Sequence, residues 1–104
     1  MQRIAFKMKL YKGKEDEYKK RHDEIWNELK ELLKQTGIKD YSIFLDEMTN
    51  DLFAYLTIDD AKKLDALPNE AVMKKWWSYM KDIMETHEDD SPVTVQLKEV
   101  FYLE

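Results

Sequence analysis

The chain predicts an α+β fold: one four-stranded antiparallel sheet with two long helices on one of its faces. Three observations carry this. Short alternating or apolar stretches, read as strands, occur four times. Longer stretches with apolar residues three and four apart, read as helices, occur twice. Turn residues fall between them, and the segments run β-α-β-β-α-β.

Each element has its own reason. Residues 3–10 read as a strand, with Ile4, Phe6, Met8 and Leu10 on one face and Arg3, Ala5, Lys7 and Lys9 on the other. Gly13 marks a turn. Residues 14–35 read as one long helix, which Gly37 ends in a left-handed cap. Residues 40–46 are the second strand, with Tyr41, Ile43 and Leu45 on one face, and the polar residues 46–51 form a hairpin loop. Residues 52–58 are the third strand. Asp59 and Asp60 can cap a short helix over 61–67, which Pro68 interrupts, and Asn69 can cap a second long helix to about residue 84. Pro92 leads into a last strand over 93–103. This is the ferredoxin-like split βαβ order. It leaves one sheet face without helices, so Phe44, Phe53 and Tyr55 point into the open. Such a patch predicts a partner surface, and a homodimer packing two sheets face to face covers it most simply.

Composition narrows the function. At 104 residues the expectation is a single domain over 1–104. There is no cysteine, which excludes disulfides and thiolate chemistry. The two glycines, Gly13 and Gly37, are far apart, so no phosphate-cradling loop exists. With two histidines a histidine metal cluster is marginal, and no metal and no cofactor are expected. His87 lies in an acidic loop that reads as solvated rather than as a cation site. A net charge of −5, with no basic stripe, argues against nucleic acid. No apolar run approaches a membrane span, and residues 1–14 carry no signal-like apolar core. The simplest compartment is the cytoplasm. Set against these scarcities are three tryptophans, six tyrosines and four phenylalanines.

The helix faces say where the aromatics go. On the first helix Tyr18, His22, Ile25, Trp26, Leu29, Leu32 and Leu33 share one inward arc, while Lys19, Lys20, Asp23, Asn27, Glu31 and Lys34 lie opposite. Tyr18 and His22 are stacked neighbours. His22 has two readings: a core histidine bonded to a backbone carbonyl, or the acid–base group of a pocket, for which its ordinary pKa of about 6.5 suits it. On the second helix Val72, Met73, Trp76, Trp77, Met80, Ile83 and Met84 form the inward stripe. Such a stripe is ordinarily core, yet two adjacent tryptophans diverging by about 100° can wall two sides of a cavity. Tyr41 joins them by strand alternation. The candidate site is Tyr18, His22, Tyr41, Trp76 and Trp77, with no carboxylate pair, metal cluster or cationic clamp placed in it. That lining suits a small neutral polyhydroxylated ligand, whose C–H face packs on aromatic rings.

The stretches Tyr18-Lys-Lys-Arg-His22-Asp-Glu-Ile-Trp26, Tyr41-Ser-Ile-Phe-Leu-Asp46, Lys75-Trp76-Trp77-Ser-Tyr-Met80 and Leu97-Lys-Glu-Val-Phe-Tyr-Leu103, the last preceded by Ser91-Pro92, resemble the L-rhamnose mutarotases over nearly the whole chain. The resemblance implies a dimeric ferredoxin-like α+β barrel and an isomerase that interconverts the α and β anomers of L-rhamnose without a cofactor. It implies a proton donor at His22 and sugar contacts at Tyr18, Tyr41, Trp76 and Trp77. The chain departs from the pattern at Asp23-Glu24, where some relatives have Asn-Pro. By the helix phase that departure lies on the outer side, where it bears on the bend and not on the chemistry. Two other classes stay open at this point. A cofactor-free oxygenase on the same barrel would consume oxygen with a planar aromatic substrate. A non-catalytic sugar-binding module would bind rhamnose without speeding anomer exchange.

Overall fold

A computed structural model describes all residues, 1–104. The elements are β1 (Gln2–Lys9), α1 (Glu15–Asp23), α2 (Asn27–Gln35), β2 (Ile38–Asp46), β3 (Asp51–Ile58), a 3-10 helix (Ala61–Asn69), α3 (Ala71–Met80) and β4 (Val95–Leu97). The four strands form one antiparallel sheet in the order β2-β3-β1-β4. This is the predicted ferredoxin-like topology.

Register explains which side chains meet. Ile4, Phe6 and Met8 of β1 stand opposite Leu56, Ala54 and Leu52 of β3. Paired residues share a face, so this set floors the core, and Leu52, Ala54, Leu56 and Ile58 are all buried. Helix α3 covers it with Met73, Trp76 and Met80, followed by Ile83 and Met84. The other face carries Phe44 opposite Phe53, Tyr55 opposite Ala5, and Val95 and Leu97 opposite Lys7 and Ala5. All five of the larger groups are exposed in the single chain. No helix is long and apolar enough to cross a membrane.

Several expectations need correction. The first helix is two helices: α1 ends at Asp23, and Trp26 has extended backbone angles before α2 begins. Trp26 leaves the helical path to set its ring edge-on against Trp76, 5.1 Å away, and beside Tyr79 at 5.5 Å. Burial of that indole offsets the broken helical ladder. The second long helix is shorter than predicted, and Glu70, without a side-chain cap bond, stands where Asn69 was expected. Residues 61–67 fall within a 3-10 segment that contains Pro68. Asp60 does cap it, accepting from the Lys62 amide at 3.0 Å. The last strand is three residues long rather than 93–103. A strand exists only where a neighbour accepts its hydrogen bonds, and β1 receives only residues 95–97. The tail beyond is held by side chains: Arg3 forms a two-pronged ion pair with Glu99 at 2.8 and 2.9 Å and stacks 3.5 Å from the Tyr102 ring centre.

Two special backbone positions shape the ends of β2. Gly37 takes φ +97° after α2, the predicted left-handed cap. Between Lys39 and Ser42 the strand bulges, with Asp40 at φ +52°. Ile38 and Tyr41 are three apart, so a regular strand would send them to opposite faces. The extra residue lets both face the helices.

Candidate active site

Tyr41, two residues before Ile43, faces a cleft of about 990 Å³ between the sheet and the helices. All five predicted residues, Tyr18, His22, Tyr41, Trp76 and Trp77, line it. Phe6, Met8 and Leu52 form part of its floor.

α1 supplies Tyr18 and His22 one turn apart. Their rings stack with centres 4.2 Å apart and planes 28° from parallel. His22 meets the edge of Trp76 at 5.4 Å and 88°. Trp76 is buried and Trp77 half-buried, so the first doubles as core and the second as wall.

The His22 ring is fixed by one hydrogen bond. Its Nδ1 lies 3.0 Å from the Tyr18 backbone oxygen. A carbonyl oxygen can only accept, so Nδ1 carries the hydrogen, and in the neutral ring Nε2 holds the lone pair. The bond that satisfies the ring also selects its tautomer and leaves Nε2 without a protein partner. Burial lowers the His22 pKa below its ordinary value; the bond to the Tyr18 carbonyl and the Asp23 carboxylate oppose this without reversing it.

The tyrosines behave as neutral hydroxyls. Burial first, and the nearby Tyr41 second, push the Tyr18 hydroxyl well above its usual range. Tyr41 as a whole residue is 38 % exposed, but its hydroxyl end is desolvated, and burial pushes it up to about 12. No hydrogen bond to protein contributes to either shift. The Tyr18 hydroxyl is nonetheless open to the cleft, since no buried side-chain nitrogen or oxygen is left without a partner.

The cleft also contains groups the sequence reading missed. Asp16, Lys19 and Asp23 of α1 and Glu47 of the β2–β3 turn lie on its exposed wall. The helical phase assigned Lys19 and Asp23 to a solvated outer face, and no carboxylate was expected here. Because α1 stops at Asp23 and stands over the opening, its outer residues become the rim. The Asp23-Glu24 departure therefore lies at the cleft, where the Asp23 charge acts weakly on His22. No three histidine, aspartate or glutamate side chains converge in a metal-binding arrangement.

The profile of L-rhamnose mutarotase matches residues 3–103. The chain belongs to the L-rhamnose mutarotase family. An L-rhamnose mutarotase of Formosa agariphila is 52 % identical over the full length of both chains. One of Brucella anthropi is 55 % identical, covering 98 % of this chain and 96 % of its own. The crystal structure of an L-rhamnose mutarotase from Formosa agariphila superposes with a TM-score of 0.93 at 51 % identity, covering all of both chains. A dimeric ferredoxin-like protein from an uncultured marine organism matches with a TM-score of 0.58 at 13 % identity over 97 % of this chain and 96 % of its own, a likeness of fold alone. Family membership makes the protein a carbohydrate isomerase, in keeping with a cleft rich in rings and poor in reactive groups.

Proposed function

We propose that this chain interconverts the α and β anomers of L-rhamnose by opening and reclosing the sugar ring, with His22 moving the proton and Tyr18, Tyr41, Trp76 and Trp77 holding the sugar. The observation that carries the role of His22 is the Nδ1 bond to the Tyr18 carbonyl, which leaves Nε2 as the nitrogen free to meet a ligand.

The neutral ring first accepts the proton of the anomeric hydroxyl, O1. The O1 electrons form the carbonyl as the C1–O5 bond breaks, and that electron pair goes to O5. The imidazolium then donates its proton to O5. O1 and O5 are both bonded to C1, so one nitrogen held beside that carbon serves both, and no separate base is needed. Rotation about C1–C2 presents the other face of the aldehyde, and the same steps in reverse close the ring. The two tyrosine hydroxyls stay protonated and hydrogen-bond sugar oxygens. Trp76 and Trp77 pack on the C–H face and the methyl group. General acid–base assistance of this kind contributes about 10²–10⁴-fold, and holding the ring in place adds to it.

We also infer that two copies pair through the open sheet face. Phe44, Phe53, Tyr55, Val95 and Leu97 support this, because they form an apolar surface that no element of the chain covers.

The activity is tested by saturation transfer at the anomeric proton with L-rhamnose, L-mannose and L-fucose. Faster exchange, strongest with L-rhamnose, is the expected result. Binding without faster exchange would make the protein a sugar-binding module instead.

A further inference from the structure

Helix α1 carries both Tyr18 and His22, yet little of its own chemistry holds it in place. It has nine residues, neither end has a side-chain cap, and Tyr18 is its one buried residue. A helix this short is marginal alone in water, so tertiary contacts must fix where His22 stands.

Arg21, the residue before His22, makes those contacts. Its side chain is only 10 % exposed, the least of any ion-paired side chain in the protein. Its guanidinium donates to four oxygen atoms. Nε donates to Glu17 Oε2 at 2.7 Å on the same helix. Nη1 donates to Asp82 Oδ1 at 2.8 Å and to the Tyr79 backbone oxygen at 2.7 Å, and Nη2 to Asp82 Oδ2 at 3.1 Å. The same group lies 4.4 Å from the Tyr79 ring centre. The Tyr79 ring in turn packs 5.7 Å from Trp76 and 5.5 Å from Trp26. A closed path of contacts results: Arg21 to Tyr79, Tyr79 to Trp76, Trp76 to His22, and back along α1.

We propose that Arg21 is a positioning residue for His22: its planar fork, locked between Glu17, Asp82 and the Tyr79 carbonyl, sets the spacing of α1 and α3 and so the place of the imidazole against Trp76. The inference rests on the role assigned to His22 above, and its test does not. Arg21 touches no reacting atom in this account. Lysine keeps the charge but cannot serve a bidentate carboxylate, a second carboxylate and a carbonyl from one plane.

The test uses Arg21→Lys and Asp82→Asn in the full-length protein, with near-UV circular dichroism to confirm the fold. NMR follows the titration of the His22 ring, and anomer exchange gives kcat and KM. For Arg21→Lys, kcat is expected to fall about 10- to 100-fold, the scale of a catalytic group displaced by about 1 Å. KM should change less than kcat, because Tyr41 and Trp77 stand outside the Arg21 contacts and still hold the sugar. The His22 midpoint should rise toward 6.5 as the ring leaves its packed place. The ionisable groups that share the cleft with His22 are unchanged, namely Glu15, Asp16, Tyr18, Lys19 and Asp23 on α1, Tyr41 on β2 and Glu47 on the turn. Arg21→Lys also preserves charge, so a moved midpoint reports geometry. Asp82→Asn should act in the same direction but more weakly, and it decides the matter if Arg21→Lys does not fold. Folded variants with wild-type kcat and a wild-type His22 midpoint would overturn the proposal, even if they were less stable. A wild type without anomer exchange would refute the assigned function, yet the His22 midpoints would still decide whether Arg21 positions the ring.

Discussion

Trp76 and Trp77 are neighbours in sequence but should fail differently when replaced. Trp76 is buried and makes three ring contacts, to His22 at 5.4 Å, Trp26 at 5.1 Å and Tyr79 at 5.7 Å. Such pairs contribute about 0.5–1.5 kcal/mol each beyond area burial, so Trp76→Leu should lose about 1.5–4.5 kcal/mol from them, with a further loss from the space left behind. Trp77 is half-buried and takes part in none of these ring pairs. Trp77→Leu keeps an apolar side chain there and should cost about 1 kcal/mol or less. Folded domains have about 5–15 kcal/mol in hand, so Trp77→Leu stays folded while Trp76→Leu takes up a large share of the stability. With a urea slope of about 1.5 kcal/mol/M for a chain of this size, the ring pairs alone should lower the midpoint by about 1–3 M for Trp76→Leu, and Trp77→Leu should lower it by less than about 0.7 M. The assay is urea unfolding at one fixed protein concentration, since a dimer makes the midpoint concentration-dependent. Anomer exchange on the same samples should fall for both. Equal losses of stability, or a larger loss at Trp77, would refute the division between core and wall.

Other consequences are equally direct. Gly37→Ala puts a side chain at φ +97° with its Cβ 2.6 Å from Asp59 Oδ1, an atom that also accepts from the Asp60 amide; the left-handed conformation and the displaced carboxylate together should cost about 2–3 kcal/mol in the same urea assay, and no loss would contradict the geometry. Because the folded protein holds the His22 pKa below 6.5, kcat/KM should be flat above pH 6.5 and fall as the ring protonates below it. The same depression makes the unfolded chain take up the proton first, so stability is complete above pH 6.5 and declines on acidification until the folded-state pKa is passed; activity that rises with acid would contradict the neutral tautomer. Phe53→Lys places a charge in the centre of the open sheet face and should shift sedimentation equilibrium from the dimer mass toward the single-chain mass, while an unchanged mass would move the interface elsewhere.

The parts that sequence reveals here are those set by local chemistry. The alternation of Ile4, Phe6 and Met8 found its face because β1 is half-buried along its length. Gly37 and Asp60 act through their own backbone and side chain, and both appear as expected. The inward stripe of α3 survives although Ile83 and Met84 lie past the helix end. What periodicity could not show is decided between elements. Ile25 and Trp26 fit the helical stripe, and nothing local signals the break; its cause is an indole seeking Trp76 and Tyr79 on another helix. The apolar run Val100, Phe101, Tyr102 and Leu103 has strand composition but finds no strand to pair with within the chain. The Asp16, Asp23 and Glu47 rim arises because a short helix and a turn meet over one opening. The five site residues were placed by helix phase and strand alternation, and all line one cleft. The Tyr18–His22 pair needed only one turn of helix. Tyr41 follows from alternation with Ile43 and Leu45, while the bulge at Asp40, which sets Ile38 on the same side, was not legible.

The most direct measurement compares wild-type protein with His22→Ala by saturation transfer between the α and β anomeric protons of L-rhamnose. Removal of the imidazole leaves the Tyr18 carbonyl, the tyrosine hydroxyls and both tryptophans in place. Accelerated exchange is expected with the wild type and a fall of about 10²–10⁴-fold with His22→Ala, with sugar binding largely retained. Equal acceleration by the two proteins would contradict the role of His22.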